Sequence, residues 1–410
     1  MIMLTHLPHR AWRFLRYGLT FQARRWHLIS RVRHTALEAR KKWDQAGEQD
    51  YLQLRARTLA FVNARMLPEH GPGAYAYQEG GPPLVYAACY AALTRHLYGE
   101  LQTFTAAQKS AWAAYLQSFQ CEDGLFRDPR LACSQAETCD WWGTRHLSLH
   151  ALMALTALGA VARRPVALLE KFRAQGAIEN WLEQRDWKRE PNNASNEVQN
   201  MVTFMQYARD YQESEHLRLV IANALDWLEA HQDPATGFWG PPPATPGELS
   251  QGVQTGYHLW LLSFYERRPL RYMNRIIDSC LKTQGRFGGF GVAPNSSACE
   301  DIDSIDPLAR LSRIATDRQQ EIQQCLQRAL SWVLGNFNPD GGWVFTRHEE
   351  FCYVHPLMRT AADVSSMFPT WFRSLSLAYL AKVLGEHPLS RIPWQFLESP
   401  GHQFWRPAEA

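Results

Sequence analysis

The stretch NFNPDGGWVF, residues 336–345, ends one helical pattern, turns on Asn-Pro-Asp-Gly-Gly and presents aromatics before the next pattern begins. Proline presets φ and glycine accepts the left-handed region, so a helix does not run through such a run. Three other stretches share the layout: CEDGLFRDP (121–129), QDPATGFWG (232–240) and TQGRFGGFG (283–291). The Gly-aromatic steps near 237, 289 and 341 lie about 52 residues apart. The gap from 124 to 237 is about twice that, with WLEQRDWKREPNN (181–193) as a degenerate member between them. A fixed period of this length marks a repeat architecture.

Between the loops, two helix classes alternate. One is rich in Ala, Leu and Tyr on several faces and starts near 84, 140, 195, 251, 303 and 366, at intervals of 56, 55, 56, 52 and 63. The other is amphipathic, as in LRLVIANALDWLEAHQ (217–232) and QQEIQQCLQRALSWVLG (319–335). Helices apolar on several faces need to be surrounded, whereas amphipathic ones keep one wet face. Six of each, alternating, close into an inner ring within an outer ring: an all-α, (α/α)6 toroid over residues 56–400. An open solenoid satisfies the same pattern but needs specialised polar ends. Strand-like alternation is almost absent.

Composition narrows the function classes. The chain has 410 residues, ample for a sizeable core, with 16 Trp, 19 Phe and 15 Tyr. Formal net charge is +3, but residues 1–37 hold seven Arg and no acid, so the remainder sums to −4. A body of that sign argues against a nucleic-acid partner. Residues 1–55 read as a basic, aromatic helical extension, packed on the body or lying on an anionic membrane surface. There is no cleavable leader pattern, no apolar run of spanning length and no paired-cysteine motif among the eight Cys. The expectation is a cytoplasmic protein with reduced thiols, in peripheral contact with membrane if the N-terminus docks.

The stretches LEAHQDPATGFWG, SCLKTQGRFGGFG and LGNFNPDGGWVF resemble the repeats of the terpenoid-cyclase and protein-prenyltransferase toroids, whose members carry the squalene–hopene cyclase type of Gln-Trp loop. The likeness covers roughly residues 60–395 and implies the toroid fold. In the squalene–hopene branch an Asp-x-Asp-Asp motif follows a Gly-rich aromatic loop, and its middle Asp protonates an alkene or epoxide. Here GGFGVAPNSSACEDIDSIDP (288–307) has that layout, with Asp301 in the first position, Asp303 in the middle and Ser304 replacing the last Asp. The resemblance therefore implies a class II terpenoid cyclase-like enzyme with Asp303 as general acid. This chain is about the length of one toroid, whereas the triterpene cyclases use two.

Read from the residues themselves, Glu300, Asp301, Asp303 and Asp306 crowd four carboxylates into seven positions. Neighbouring charge and burial both raise a carboxyl pKa, so Asp301 and Asp306 are expected to hold Asp303 protonated. Trp141, Trp142, Phe368 and Trp371, near inner-helix starts, would steady cations. The plainer alternative is that Asp303 or Ser304 caps a helix with Asp306 in its first turn. Other inner-helix starts are polar: Asp140, Arg145 and His146; Asn193, Asn196, Glu197 and Asn200; Gln251, Gln254 and His258.

Such a mouth suits a prenyl diphosphate held by Arg145 and helix N-termini, with Mg²⁺ where a diphosphate is present and otherwise no cofactor. It suits an oligosaccharide equally, as a glycoside hydrolase pairing Asp303 with Asp140 or Glu197 across the cavity, or as a lyase using His146 or His258 as base. Cys299, Asp301 and His355 supply zinc-ligand types without tight spacing. A non-catalytic binding toroid is the third alternative. Residues 347–363, RHEEFCYVHPLMRTAAD, are longer than the corresponding connections and read as a lid or plug.

Overall fold

The computed structural model describes residues 9–131 and 142–406, with side chains from residue 22 onward. The fold is all-α, with thirteen α-helices among the described residues. They are α1 (His9–Trp43), α2 (Glu48–Asn63), α3 (Val85–Leu97), α4 (Ala106–Gln117), α5 (Thr144–Ala157), α6 (Ala177–Glu183), α7 (Pro191–Tyr211), α8 (Leu217–Ala230), α9 (Pro246–Tyr265), α10 (Met273–Lys282), α11 (Ala298–Leu311), α12 (Gln319–Leu334) and α13 (Met367–Val383). One pair of two-residue strands, β1 (Phe351–Cys352) and β2 (Arg359–Thr360), runs antiparallel.

Six helices pack in cyclic order: α3 on α5, α5 on α7, α7 on α9, α9 on α11, α11 on α13, and α13 back on α3. Their burial explains the order. Nearly every residue of α3, α11 and α13 is buried, polar ones included, so these helices have neighbours on all sides. The amphipathic helices lie against them: α2 on α3, α4 on α3 and α5, α8 on α7, α10 on α9 and α11, α12 on α11 and α13. In α8 the buried positions are Leu217, Ile221, Ala224, Leu225 and Leu228, one face at helical spacing. Residues 48–55 belong with this packing, since Tyr51 and Leu54 of α2 are buried in the main core.

The repeated loops fasten the layers together. Gln120, Gln232 and Gln284 each donate from Nε2 to the carbonyl of the loop glycine, at 124, 237 and 288. Gln284 also donates to Cys325 O of α12, and Gln120 to Arg164 O. Gly288 (φ +98°) and Gly341 (φ +90°) are in the glycine-favoured region, and a Cβ on either would collide with a carbonyl, of Arg328 and Arg57 respectively. The glycine thus admits the close approach and the glutamine bonds it.

Two irregular segments cross the ends of the six-helix ring. Residues 347–363, which contain β1 and β2, lie over the ends where the helices begin: Tyr353 meets His146 of α5 and Phe368 of α13. Residues 394–406 cross the opposite ends. The Gln395 N–H donates to Leu97 O, Arg310 donates to Phe404 O, and the Tyr379 hydroxyl donates to His402 O.

Candidate functional site

The site is built on α11. Ser297 is the N-cap, accepting from the Glu300 N–H, while the Glu300 carboxylate accepts from the Ser297 N–H at 2.8 Å. Neither Asp303 nor Ser304 caps the helix, contrary to the plainer sequence expectation; α11 begins a turn earlier, and Asp303 lies inside it. The reciprocal Ser-x-x-Glu cap explains the earlier start.

The three aspartates have three different environments. Asp301 is fully buried and accepts from Phe290 N–H (2.9 Å), Ser296 Oγ (2.9 Å), Trp332 Nε1 (3.0 Å) and Arg373 Nη1 (2.5 Å). Arg373 of α13 donates onward to the carbonyls of Val344 and Phe345. Asp306 accepts from Arg310 Nε (2.6 Å) and the Tyr257 hydroxyl (3.1 Å). Asp303, 4% exposed, has no hydrogen bond and no ion pair among the described residues. Burial first, then the charges of Glu300, Asp306 and Asp301, push its carboxyl well above the ordinary carboxylate range. Repulsion from Asp301 and Asp306 was expected to act together with burial. Each of the two is bound to an arginine that offsets its charge, and desolvation is the leading cause.

The charge of Asp303 acts on Cys299, Tyr257 and Tyr353, so two aromatic rings lie within electrostatic range of this acid. Tyr353 stacks on Phe368 at 4.3 Å and 5°, Tyr90 on Trp371 at 5.4 Å, and Tyr86 on Trp142 at 5.6 Å. Phe345 and Phe351 continue the wall from the covering segment.

Four buried imidazoles lie close to one another: His146, His150, His258 and His402. Burial lowers each pKa, to about 4 for His150 and about 3 for His258, so all are neutral near pH 7. Their tautomers follow from their partners. His150 Nδ1 faces only the His146 carbonyl (2.8 Å), an acceptor, so Nδ1 carries the proton and Nε2 keeps its lone pair. Ser195 Oγ gives its one proton to Asn192 O (2.9 Å) and must accept from His258 Nδ1 (3.0 Å), which leaves His258 Nε2 basic. His146 lies between the Tyr86 hydroxyl at Nδ1 (2.8 Å) and the Tyr353 hydroxyl at Nε2 (3.1 Å).

The remaining expected site residues divide. Trp142, Phe368 and Trp371 are in the aromatic wall. Glu197 is ion-paired with Arg185. Asn196 folds back on Asn192 and Gln254 on Ser250. Asn200 is buried in α7, and Arg145 is half-buried in the first turn of α5. Asp140 and Trp141 lie outside the described residues. Of the zinc-type set, Asp301 is taken up by Arg373 and His355 Nδ1 accepts the Leu357 N–H. Among the described residues no group of three or more His, Cys, Asp and Glu has metal-holding geometry.

Sequence reading missed Tyr86, Tyr90, His150 and His402. The i, i+4 pairs Tyr86/Tyr90 and His146/His150 were available as a signal. For His402 there was none, because its segment has no periodicity. Comparison with family models and with curated proteins finds no match for this chain.

Proposed function

We propose that the six-helix ring with its outer helices is an (α/α)6 toroid, and that its interior is the active site of a class II terpenoid cyclase-like enzyme. The observation that carries this reading is Asp303: buried, unpaired, favouring its protonated form, and set between two aspartates that arginines neutralise. Its carboxyl O–H proton adds to one carbon of an isoprenoid alkene, or opens an epoxide, leaving a carbocation. The faces of Tyr90, Trp371, Phe368 and Tyr353 stabilise that cation through the ring quadrupole. Attack by a neighbouring C=C closes a ring and moves the charge along the chain. Loss of a C–H proton to an imidazole lone pair, at His258 or His150, ends the reaction; the imidazolium releases that proton to solvent, and Asp303 takes one up from solvent. Mg²⁺ enters only with a diphosphate-bearing substrate.

The glycan reading asks for a second carboxylate across the cavity. Glu197 is committed to Arg185, which favours the isoprenoid. A chain without catalysis, binding only, would have little use for a buried, unpartnered acid, since that group costs stability.

The test is product analysis after incubation with prenyl diphosphates, squalene and neutral and acidic oligosaccharides, wild type beside Asp303→Asn. Cyclised isoprenoid that disappears in the variant supports the reading. Glycan cleavage with isoprenoids untouched overturns it.

A further inference from the structure

Helix α1 (His9–Trp43) is 35 residues long. Val32, Ala36, Ala39 and Trp43 are buried on one side. Val32 and Ala36 pack on Trp332, with Leu28 and Phe287 beside them. Beyond Leu28 the contact ends. Residues 22–27 are exposed without exception, and Trp26 is 71% exposed. Six consecutive exposed residues span more than a full helical turn, so there the helix touches the body on no side. The helical backbone from 9 to 27 continues for about 28 Å beyond Leu28, at about 1.5 Å per residue.

Register gives this projecting part a direction. Positions 12, 15, 19 and 26 recur at the spacing of one helix face and are Trp, Leu, Leu and Trp. That face is turned about 120° around the helix from the one holding positions 32, 36, 39 and 43. Arginines at 16 and 25 border it, those at 10, 13 and 24 lie on the far side of the helix, and no acid occurs before Glu38. A sequence pattern with an apolar face that has tryptophan at both ends, and arginine on its borders and back, complements one kind of surface: apolar inside, anionic outside. Among the described residues no helix is long and apolar enough to cross a membrane, so the contact lies in the interface plane.

The helix is also joined to the segment over the ring. Arg31 Nη2 donates to Asp363 at 3.2 Å, and Thr35 Oγ1 meets His348 Nε2 at 2.9 Å. His348 and Arg347 hold Asp363 from the other side. Residues 348–363 carry Tyr353, which closes over His146 and Phe368.

We propose that the projecting half of α1 docks on an anionic lipid bilayer, in the interface plane, and so brings the covering segment 347–363 and the ring end beneath it to the lipid surface. Arg25, at the border of that face, binds a headgroup phosphate, Arg24 adds positive charge near the surface, and Trp26 inserts at the headgroup level. This surface is independent of the reaction assigned to Asp303, and its test does not use turnover.

The full chain is sedimented with vesicles of phosphatidylcholine alone and with vesicles containing about one-third phosphatidylglycerol. Binding is expected to the anionic vesicles and to weaken as salt rises. Arg24→Gln with Arg25→Gln lowers partitioning about 25-fold, at about fivefold per arginine lost near the surface. Trp26→Glu lowers it further, and Asp303→Asn binds as the wild type does. Equal or absent binding to both vesicle types overturns the proposal. So does a dimer in sedimentation velocity that Trp26→Glu dissolves, which would assign the stripe to a second copy of the chain. Vesicle binding without isoprenoid turnover leaves docking intact and overturns only the catalytic reading.

Discussion

A buried carboxyl with no partner costs the folded state, because its ionised form leaves water and nothing replaces that solvation. At Asp303 the folded pKa is raised above the unfolded value near 3.9. Its contribution to stability is therefore fully present below that value and is lost as pH rises through the folded pKa. Asp303→Asn keeps the shape and removes the titration. It is expected to abolish turnover while raising stability by roughly 1–2 kcal/mol at pH 8, and by less at pH 5. Urea unfolding at the two pH values checks this, and a loss of stability at pH 8 would count against an unpaired acid. The opposite sign is expected at Arg373. Arg373→Met leaves Asp301 buried with no counter-charge, at a cost of about 3–5 kcal/mol, read from the same denaturant midpoints. The rate itself should fall as pH rises through the Asp303 pKa, since only the protonated acid has a proton to give.

Helix α11 shows what was readable in an element and what was not. The crowding of four carboxylates was plain, and the Asp306–Arg310 pair stood at i, i+4 in the sequence. The other pairing was not visible, because Arg373 comes 72 residues after Asp301 and on a different helix. Without that partner the three aspartates look equivalent, and repulsion among them looks like the cause of the raised pKa. The helix start was also misplaced, since the Ser297 cap precedes the carboxylate cluster and engages its first member, Glu300. The segment 394–406 is the counterpart: it has no helical or strand period, yet it seats fully buried residues. Gln403 accepts from Trp371 Nε1 at 2.7 Å and donates to Leu93 O at 3.1 Å. Gln403→Leu strands the buried indole N–H and the carbonyl together, at a cost of about 1–3 kcal/mol, measurable as a lowered melting temperature with the ring helices still formed by circular dichroism.

Over the whole molecule, periodicity carried most of the legible information. Intervals near 55 residues placed the multi-face helices close to where α3, α5, α7, α9, α11 and α13 begin. Chamber contents were less legible, since convergence of His146, His258 and His402 depends on closure and not on spacing. That convergence has a global titration signature. His96, His150 and His258 have folded pKa values of about 4, 4 and 3, against an unfolded value near 6.5. The unfolded chain takes up protons first, so stability is full above pH 6.5 and declines as pH falls toward 4. Melting temperature measured between pH 7 and 4.5 should drop, and His258→Gln should flatten the drop. The packing of α13 on α3 has a further consequence, for the path of folding. These helices are some 280 residues apart in the chain, so the seam between them joins late. Until it joins, the rings of Tyr90, Phe368 and Trp371 border an open cleft instead of a sealed interior. Long-range closure of this kind is slow and leaves sticky intermediates. This chain should therefore refold poorly by dilution at high concentration and depend on chaperone-like shielding while the last helix finds the first of the ring.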